Sequence, residues 1–346
     1  MAYTTIKKPS DYFNTKLYTG TGSSNALTGV GFQPDWTWIK CRDDTHNHQV
    51  FDAVRGVYKR LRTDTNGAET TSNESLKTFD SDGFTLGTQT NVNQSSGTFA
   101  SWNWKAGTTS GLSGGTITPT SYSVNATSGF GIYAYTGTNA NGTITHGLGS
   151  APSVIIVKNR LTSSKSWVVG HKSIGFQNAL FLNDTAGSTS EANLFNSTAP
   201  TSSVFTVGTG SLINDSGDSY IAYAFAEKKG YSKFGSYVGN NNTDGTFVYL
   251  GFKPAFIIVK PTSGTEHWTM YDNKRTGYNP TNYQLYPNLS SSEATLSELD
   301  IVSNGFKIRS QTGRLNSSGV TMIYMAFAEQ PLVANSGSNG VPATAR

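Results

Sequence analysis

Short apolar runs recur along the chain and are separated by polar, glycine-rich segments. The runs WTWIK, SVIIVK and FIIVK are β-branched or aromatic and of strand length, and they end at Lys40, Lys158 and Lys260. In IIV the apolar residues occupy both faces, so we expect this strand to be covered on both sides, with its lysine at the exposed end. No segment has the periodicity of a convincing amphipathic helix. The pattern predicts an all-β chain.

The strand pattern belongs to an internal repeat with three copies. Each copy has a tyrosine, then a proline 16 or 17 residues later, then a lysine six positions after the proline; the prolines are Pro34, Pro152 and Pro254. Each copy closes with a glycine-led strand, and in AYAFAE and YMAFAE small and large residues alternate, as expected where one sheet packs on another. We predict three tandem β-sandwich modules, of the jelly-roll or lectin-like kind, of roughly 100 residues each.

The repeat also predicts the domain boundaries. They are an N-terminal arm at 1–11, module 1 at 12–107, a Gly/Ser/Thr linker at 108–130, module 2 at 131–230, module 3 at 231–331 and a low-complexity tail at 332–346. The modules could surround a pseudo-threefold axis or follow one another like beads. The long linker and the short junction after module 2 favour an asymmetric arrangement, with module 1 apart from a docked pair of modules 2 and 3.

Composition narrows the class of protein. The chain is 36% hydrophobic, 12% aromatic and 14% charged, which argues against disorder. The net charge of +4 is mild, and the densest basic stretch, RGVYKRLR at 55–62, is expected at a solvated edge or against an acidic neighbour, so no nucleic-acid partner is predicted. Cys41 is the only cysteine, which excludes an intrachain disulfide. Without an apolar run of membrane length or a secretory signal, we expect synthesis in a cytoplasm and no membrane insertion.

Candidate metal and catalytic chemistry is sparse. The segment DDTHNH at 43–48 is the one local cluster that resembles a metal site, but the other modules keep no matching ligands, and a polar loop is the preferred interpretation. Asp52 and Asp272 recur at one place in modules 1 and 3, with His171 there in module 2, and are predicted to cap turns. The acids Glu227 and Glu329 stand alone at strand ends. No catalytic residue, metal or cofactor is predicted, and we do not expect an enzyme.

Carbohydrate binding has more support. An aromatic platform with Asn, Asp and Gly donors and acceptors on loops holds sugars, and the loops GTNANGT at 137–143 and GNNNTDGT at 239–246 offer such groups. Ordinary hairpin turns also use NG and DG, so both interpretations stay open. The candidate ligand-binding residues are Asn139, Asn141, Asn240, Asn241, Asn242, Asp244 and Trp268.

Several motifs in residues 11–107 together resemble a known family. DYFNTKLYTGTG, VGFQPDWTWIK, FDAVRG, FDSDGFTLGT and SWNWKAG are similar to segments of virion-associated proteins, tail-fibre-like or surface structural, of marine tailed bacteriophages. Modules 2 and 3, which end FAEKKG and FAEQP, resemble shorter domains appended in those proteins. The resemblance implies lectin-like sandwiches, location in a virion assembled in the host cytoplasm, and other virion proteins of the tail or capsid as partners.

Two functions are compatible with this context. The first is a tail fibre or tail-associated adhesin that contacts the host surface, including a surface glycan. The alternative is a capsid decoration or head-fibre protein that stabilises the shell. The chain has no heptads or collagen-like repeat of a long trimeric fibre, whereas variable loops on a fixed scaffold suit a receptor-binding protein. We favour adhesion, and in either case expect the protein to be oligomeric or bound in an assembly.

Overall fold

A computed structural model describes residues 4–107, 111–276 and 278–332. They confirm the all-β prediction, with 26 strands, three one-turn α-helices and a 3-10 turn at Pro9–Asp11. Residues 12–107 contain β1 (Phe13–Thr19), β2 (Asn25–Leu27), β3 (Trp36–Cys41), β4 (Gln49–Asp52), β5 (Lys59–Arg60), β6 (Thr70–Thr71), β7 (Leu76–Asp80), β8 (Gly83–Leu86), α1 (Thr90–Asn93) and β9 (Thr98–Trp104).

The later strands repeat this sequence of elements. Residues 111–230 contain β10 (Ser121–Asn125), β11 (Phe130–Thr136), β12 (Gly142–Thr145), β13 (Pro152–Asn159), β14 (Val168–His171), β15 (Asn178–Phe181), β16 (Thr189–Ser190), β17 (Val204–Val207), α2 (Ser211–Asn214) and β18 (Ser219–Ala226). Residues 231–332 contain β19 (Ser232–Val238), β20 (Phe247–Tyr249), β21 (Phe252–Pro261), β22 (Thr269–Asp272), β23 (Thr281–Gln284), β24 (Ala294–Val302), β25 (Gly305–Ile308), α3 (Gly313–Asn316) and β26 (Thr321–Pro331).

Each repeat builds a main antiparallel sheet with one strand order. The orders are β1-β9-β3-β4 in module 1, β11-β18-β13-β14 within the seven-stranded sheet of module 2, and β19-β26-β21-β22 in module 3. A smaller sheet accompanies each one, namely β2-β8-β7, β12-β17 and β20-β25-β24-β23. The closing strand of each repeat therefore lies in the middle of its main sheet, between the first strand and the strand that follows the repeated proline.

The strand after the proline is buried on both faces, as predicted. All residues of β3, β13 and β21 are buried. One set of alternate side chains, Ile39, Ile155 and Ile257, packs with the smaller sheet of its own module in a separate core. Each module is therefore a two-layered unit with its own outer core.

The opposite faces of the three main sheets meet in one common core. Trp36, Val154 and Phe256 occupy the same position in the three sheets, and all lie in this cluster. Aromatic contacts join every pair of modules, with ring centroids 4.7 Å apart for Trp36–Tyr223, 5.6 Å for Phe13–Phe256 and 5.7 Å for Phe225–Phe327. The asymmetric arrangement expected from the linker is therefore wrong, because module 1 packs against both other modules around a pseudo-threefold axis.

The predicted linker is also corrected over 111–129. Ser121–Asn125 form a strand that pairs with β11, and Ile117 and Val124, each 6% exposed, belong to the outer core of module 2. Apolar residues spaced among Gly, Ser and Thr were sufficient to dock this segment. The N-terminal arm docks too, since Ile6 is 1% exposed in the common core. Residues 1–3, the linker residues 108–110 and the tail from 333 lie outside the described residues.

The repeated lysines were expected at the exposed ends of their strands, and this expectation is wrong. Lys40, Lys158 and Lys260 are 0% exposed. Their ammonium groups donate to backbone carbonyls at the end of the same strand or in the neighbouring module: Lys40 to Cys41 at 2.6 Å, Lys158 to Asn159 at 2.8 Å and Lys260 to Thr185 at 3.0 Å. Burial lowers the pKa of each lysine to about 8. These side chains close the strand ends instead of contacting solvent.

Candidate functional site

The asparagine-rich loop between β19 and β20 is exposed but largely occupied with its own structure. Asn240 Oδ1 accepts a hydrogen bond from Asn242 N at 3.1 Å, and Asn242 Oδ1 accepts one from Asp244 N at 2.9 Å. The Asp244 carboxylate pairs with Lys307 at 2.8 Å. With its one carboxylate neutralised in this way, the loop is a poor cation ligand. Among the described residues there is also no group of three or more His, Cys, Asp or Glu that could hold a metal.

The other asparagine candidates are explained by turn geometry. Asn139, Asn141 and Asn241 are exposed. Asn139 has a φ of 53° and Asn241 a φ of 51°, in the left-handed region that asparagine tolerates better than most residues. The hairpin interpretation therefore accounts for the type of residue at two of these positions without a ligand.

Three buried asparagines that the sequence analysis did not identify hold these loops in place. Asn93, Asn214 and Asn316 are 0% exposed and end α1, α2 and α3. Their Oδ1 atoms accept from the backbone N of loop residues at 2.8–2.9 Å, and their Nδ2 atoms donate to loop carbonyls. An asparagine three or four residues before each closing glycine was the available signal. The loops are therefore rigidly tied to the sandwiches.

Trp268 is not a surface platform, so this candidate is wrong. Its indole is 2% exposed in the common core, and Nε1 donates to the carbonyl of Phe181 in module 2 at 2.9 Å. The corresponding residues Trp167 and His48 make the same kind of bond to the neighbouring module. Trp268 and Trp167 each join two modules through this bond. A contact between modules cannot be predicted from the pattern of one module alone.

The DDTHNH segment does not assemble a metal site in the structure. His48 is 0% exposed; its Nδ1 accepts from Trp38 Nε1 at 2.8 Å and its Nε2 lies 3.0 Å from the Tyr286 carbonyl. Burial lowers the pKa of His48 well below its ordinary value, and the imidazole is therefore neutral. His46 instead contacts the side chain of Gln94, and Asp43 accepts from Thr98. The two imidazoles serve different partners.

The recurring acids are engaged with basic partners. Asp52 and Asp272 cap turns as predicted, accepting from the backbone N of Arg55 at 2.8 Å and of Arg275 at 2.9 Å. Each also forms a buried ion pair of 2.5 Å with that arginine. At the strand ends, Glu227 pairs with Lys172 and Glu329 with Lys253. This arrangement is typical of structural carboxylates.

An exposed aromatic pair lies on the surface of module 3. Phe247 is 45% and Tyr249 50% exposed, and they lie on one face of β20 because Val248 between them points into the outer core. A groove of about 450 Å³ runs between this pair and β19, where Ser236 and Lys233 line it. A second groove of about 340 Å³ adjoins it and shares Lys233 and Tyr249. We call the two together the aromatic groove.

Neighbouring contacts fix the shape of the aromatic groove. Lys233 Nζ donates to the Tyr249 carbonyl at 2.7 Å and lies 5.4 Å from the centre of the Tyr249 ring. Gly235 leaves room for the Tyr324 ring in the wall, because a Cβ there would lie 2.6 Å from the Tyr324 hydroxyl oxygen and the ring would have to shift. The Lys172–Glu227 ion pair, 2.5 Å long, spans the rim from module 2. The groove is therefore preformed by residues of two modules.

The fold does not require these aromatic residues. The strands that match β20 are β2 in module 1 and β12 in module 2. Their inward residues Leu27 and Ile144 lie opposite Phe84 and Phe205, just as Val248 lies opposite Phe306. The outward positions that match Phe247 and Tyr249 are Ala26 and Thr28 in module 1, and Thr143 and Thr145 in module 2. The predicted ligand-binding loop ends just before FVY, and the pair itself was not predicted. The sequence signal for this pair was the presence of two aromatic residues at alternate positions in one copy of the repeat only.

Comparison with known proteins gives one match. The family model for Domain of unknown function (DUF7483) matches residues 8–331, which span all three repeats. The chain belongs to this DUF7483 family. It matches no curated protein and no solved structure. In the part of the chain that the structure describes, no helix has the length and apolar character needed to cross a membrane.

Proposed function

We propose that this DUF7483 chain is a non-enzymatic virion surface protein that binds a glycan of the host surface through its aromatic groove. The observation that carries the proposal is the exposed pair Phe247 and Tyr249 beside a preformed groove in one repeat only. Exposed aromatic groups are unfavourable in water, and a cluster rimmed by polar residues is typical of a binding surface.

Sugars match such a surface chemically. A sugar ring has an apolar C–H face that packs on an aromatic ring, while its hydroxyls need hydrogen-bonding groups at the edge. The groove offers both kinds of contact, with Phe247 and Tyr249 as the platform and Ser173, Ser236 and Lys233 as polar groups along its wall. The rigid common core and the loops tied by buried asparagines give the platform a fixed position, which lowers the entropy lost on binding.

The virion context of the proposal comes from the motifs of module 1 that resemble tailed-phage proteins. Within that context a tail-associated adhesin is the preferred role, because an adhesin needs an exposed ligand site on a rigid scaffold. The competing role is capsid decoration. Immunogold labelling of virions separates the two: label at the tail supports adhesion, label over the head favours decoration, and absence from the particle contradicts both.

The groove itself is tested on a glycan array. The double variant Phe247→Ala/Tyr249→Ala is expected to weaken the wild-type signal by at least about tenfold, since stacked aromatic rings dominate such contacts. The matched control is Thr143→Ala/Thr145→Ala, which changes the corresponding outward positions of module 2 and is expected to bind like wild type. Failure of wild type to bind any glycan, or equal binding by the aromatic variant, would contradict the proposal.

A further inference from the structure

We infer that the aromatic groove is also a docking site for an extended segment of a partner protein, which adds as a strand to the outer edge of β19. The segment would carry apolar side chains at alternate positions, as a strand does when one of its faces is buried. A docked strand would exclude a saccharide from the same groove, so the two ligands would compete. The chain itself shows this kind of docking in module 2.

The groove lies between two sheet edges. Among the residues that the structure describes, β19 is the last strand of the sheet β19-β26-β21-β22, and β20 is the last strand of the sheet β20-β25-β24-β23. The backbone groups of Tyr231 and Gly239 bond toward β26 at the two ends of β19. Because directions alternate along a strand, Ser232, Phe234 and Ser236 turn their N–H and C=O groups to the outer edge.

The outer edge of β19 has the chemistry of a template for another strand. The N–H of Phe234 lies 3.5 Å from a carboxylate oxygen of Glu227, which is the long limit of a hydrogen bond, and Glu227 is paired with Lys172. Phe247 and Tyr249, 45% and 50% exposed, stand beside this edge. An edge with weakly engaged backbone groups and exposed apolar side chains is suited to pair with a further strand.

In module 2 the corresponding edges are covered by residues 112–125 of the chain. β10 (Ser121–Asn125) pairs with β11, the strand that matches β19. Before it, Ile117 N donates to the carbonyl of Thr143 at 3.0 Å, on β12, which matches β20. Ile117 is 6% exposed and belongs to the outer core of module 2. One extended segment therefore covers both edges at once.

The register in module 2 shows where the side chains of a docked strand would lie. Tyr122 and Val124, at alternate positions of β10, pack on the outer core of module 2. A strand with the same register on β19 would place two such side chains over Lys233 and Gly235. Both residues line the section of about 450 Å³, next to Tyr249. The groove therefore has space where apolar side chains of the partner would be buried.

Module 1 shows that an edge strand alone does not make this site. Among the described residues, β1 also ends its sheet. Ala26 and Thr28 stand at the positions of Phe247 and Tyr249, so no large apolar side chain borders that edge. The inference is confined to module 3, where the edge and the exposed aromatic pair occur together.

Fluorescence anisotropy of a labelled peptide provides the test. The probe is a synthetic peptide with the sequence of residues 112–125, LSGGTITPTSYSVN, titrated with the full chain. The matching place in module 2 is already filled by a covalently attached segment, whose effective concentration exceeds that of the peptide, so the peptide reports on module 3. We expect saturable binding that Phe247→Ala/Tyr249→Ala weakens by at least about tenfold. The control Leu161→Ala, which removes an exposed apolar side chain of module 2, should bind like wild type.

Two modified peptides separate strand pairing from apolar contact alone. In module 2, Val124 N donates to the Gly107 carbonyl at 2.7 Å and therefore points away from β11, whereas the N–H of Ser123 points toward β11. N-methylation removes an N–H and keeps the side chain. We expect methylation at Ser123 to weaken binding by at least about tenfold, because it removes a pairing bond and places a methyl group against the edge. Methylation at Val124 should have a much smaller effect.

The outcomes separate this inference from the glycan proposal. Absence of peptide binding by wild type, equal binding by the aromatic variant, or equal effects of the two N-methyl groups would overturn the docked strand. Peptide binding without any glycan signal on the array would support the strand and contradict the saccharide. Glycan binding without peptide binding would do the reverse.

Discussion

Among the described residues, two of the three contacts between modules bury a chain of ion-paired side chains, and the corresponding places of the third contact hold no ion pair. Between modules 1 and 3 the set is Arg42, Glu293, Arg275, Asp272 and Trp102; between modules 2 and 1 it is Arg160, Glu69, Arg55, Asp52 and Tyr223. At the corresponding places between modules 3 and 2 the residues are Thr262, Ser188, Ile174, His171 and Met325. We call these the two charged interfaces and the neutral interface.

One backbone hydrogen bond recurs at the same place in all three contacts. Glu293 N donates to the Arg42 carbonyl at 2.7 Å, Glu69 N to that of Arg160 at 2.9 Å, and Ser188 N to that of Thr262 at 2.8 Å, the last of these in the neutral interface. The side chains can therefore change completely while the modules keep one docking geometry. Sheet register and backbone pairing set that geometry, and the side chains must only satisfy one another within it.

The side chains nevertheless change as a set. Trp102 and Tyr223 donate to Asp272 and Asp52, at 3.0 and 2.7 Å, so a donor in one module requires an acceptor in the next. A buried carboxylate in turn requires its arginine. Met325 has no donor, and its partner is accordingly not an acid: His171 Nδ1 accepts from Ser173 N, and Nε2 faces the Tyr324 carbonyl at 3.3 Å. One substitution in such a set leaves the other members without partners.

The largest effect is expected from breaking a charged interface. Asp272→Ala would leave Arg275, 1% exposed at its side chain, opposite Glu293 alone, and would remove the acceptor of Trp102. Loss of one partner of a buried pair costs about 3–5 kcal/mol of unfolding free energy. Urea unfolding measures it. The control Asp244→Ala removes an exposed aspartate of the same module and should leave the midpoint near that of wild type. Similar midpoints for both variants would contradict the role of the buried set.

The pH dependence of stability should distinguish the interfaces. Burial lowers the pKa of His171 to about 4, so the unfolded chain binds a proton near pH 6.5 that the folded protein does not. The stabilising contribution is therefore complete above about pH 6.5 and is lost as the pH falls toward 4, by on the order of 3 kcal/mol. Burial would raise the pKa of Asp272, but Arg275 more than offsets this and the net shift is downward. The contribution of Asp272 is thus lost only below the ordinary carboxyl range.

His171→Gln tests this window, because glutamine keeps a donor for the Tyr324 carbonyl but does not titrate. We expect the variant to be less stable than wild type at pH 7 and the difference to shrink as the pH is lowered to 4, since only wild type loses the His171 contribution. His48, whose pKa is also lowered by burial, should keep some slope in both proteins. Parallel stability curves of the two proteins between pH 6.5 and 4 would show that His171 does not set this dependence.

Features that a single module determines were predictable from the sequence. The repeated prolines and closing glycines predicted the copies, IIV predicted a strand covered on both faces, and the recurring Asp52 and Asp272 predicted turn caps, all of which depend on local spacing. The partner of each face was not predictable. Trp36 and Trp38 give the same alternating pattern whether a second sheet or two other modules cover them. The replacement of Asp52 by His171 in module 2 has no visible reason until the structure places Met325, which is not a donor, opposite His171.

The candidate site shows the same limit. The residue types of Asn240, Asn242 and Asp244 suit sugar binding, but they also suit turns, and in the structure they stabilise a turn. Phe247 and Tyr249 look like ordinary strand residues until their outward direction is known. The burial of the lysines at the strand ends was not predictable, because it depends on backbone carbonyls that only the folded chain brings to each ammonium group.

The smallest effect on the unfolding free energy is expected from the variant with the most substitutions. If the charged and neutral groups of five side chains are interchangeable as complete groups, the contact between modules 1 and 2 should accept the five side chains of the neutral interface. The changes are Asp52→His, Arg55→Ile, Glu69→Ser, Arg160→Thr and Tyr223→Met. Replacing a complete buried ion-pair network by fitting neutral side chains is often close to neutral, so we expect an unfolding free energy within about 2 kcal/mol of wild type.

The single change Asp52→His provides the contrast, because it leaves Arg55, 0% exposed at its side chain, opposite an imidazole. We expect this variant to be clearly less stable than the fivefold variant, although it alters fewer residues. Urea unfolding of wild type, the single and the fivefold variants gives the coupling between the five positions directly. If the decreases in unfolding free energy add, the fivefold variant is the least stable of the three proteins. The neutral side chains would then depend on features that only modules 2 and 3 possess. If the fivefold variant recovers most of the loss, the charged side chains are one of two sufficient solutions for a docking geometry that the sheets impose.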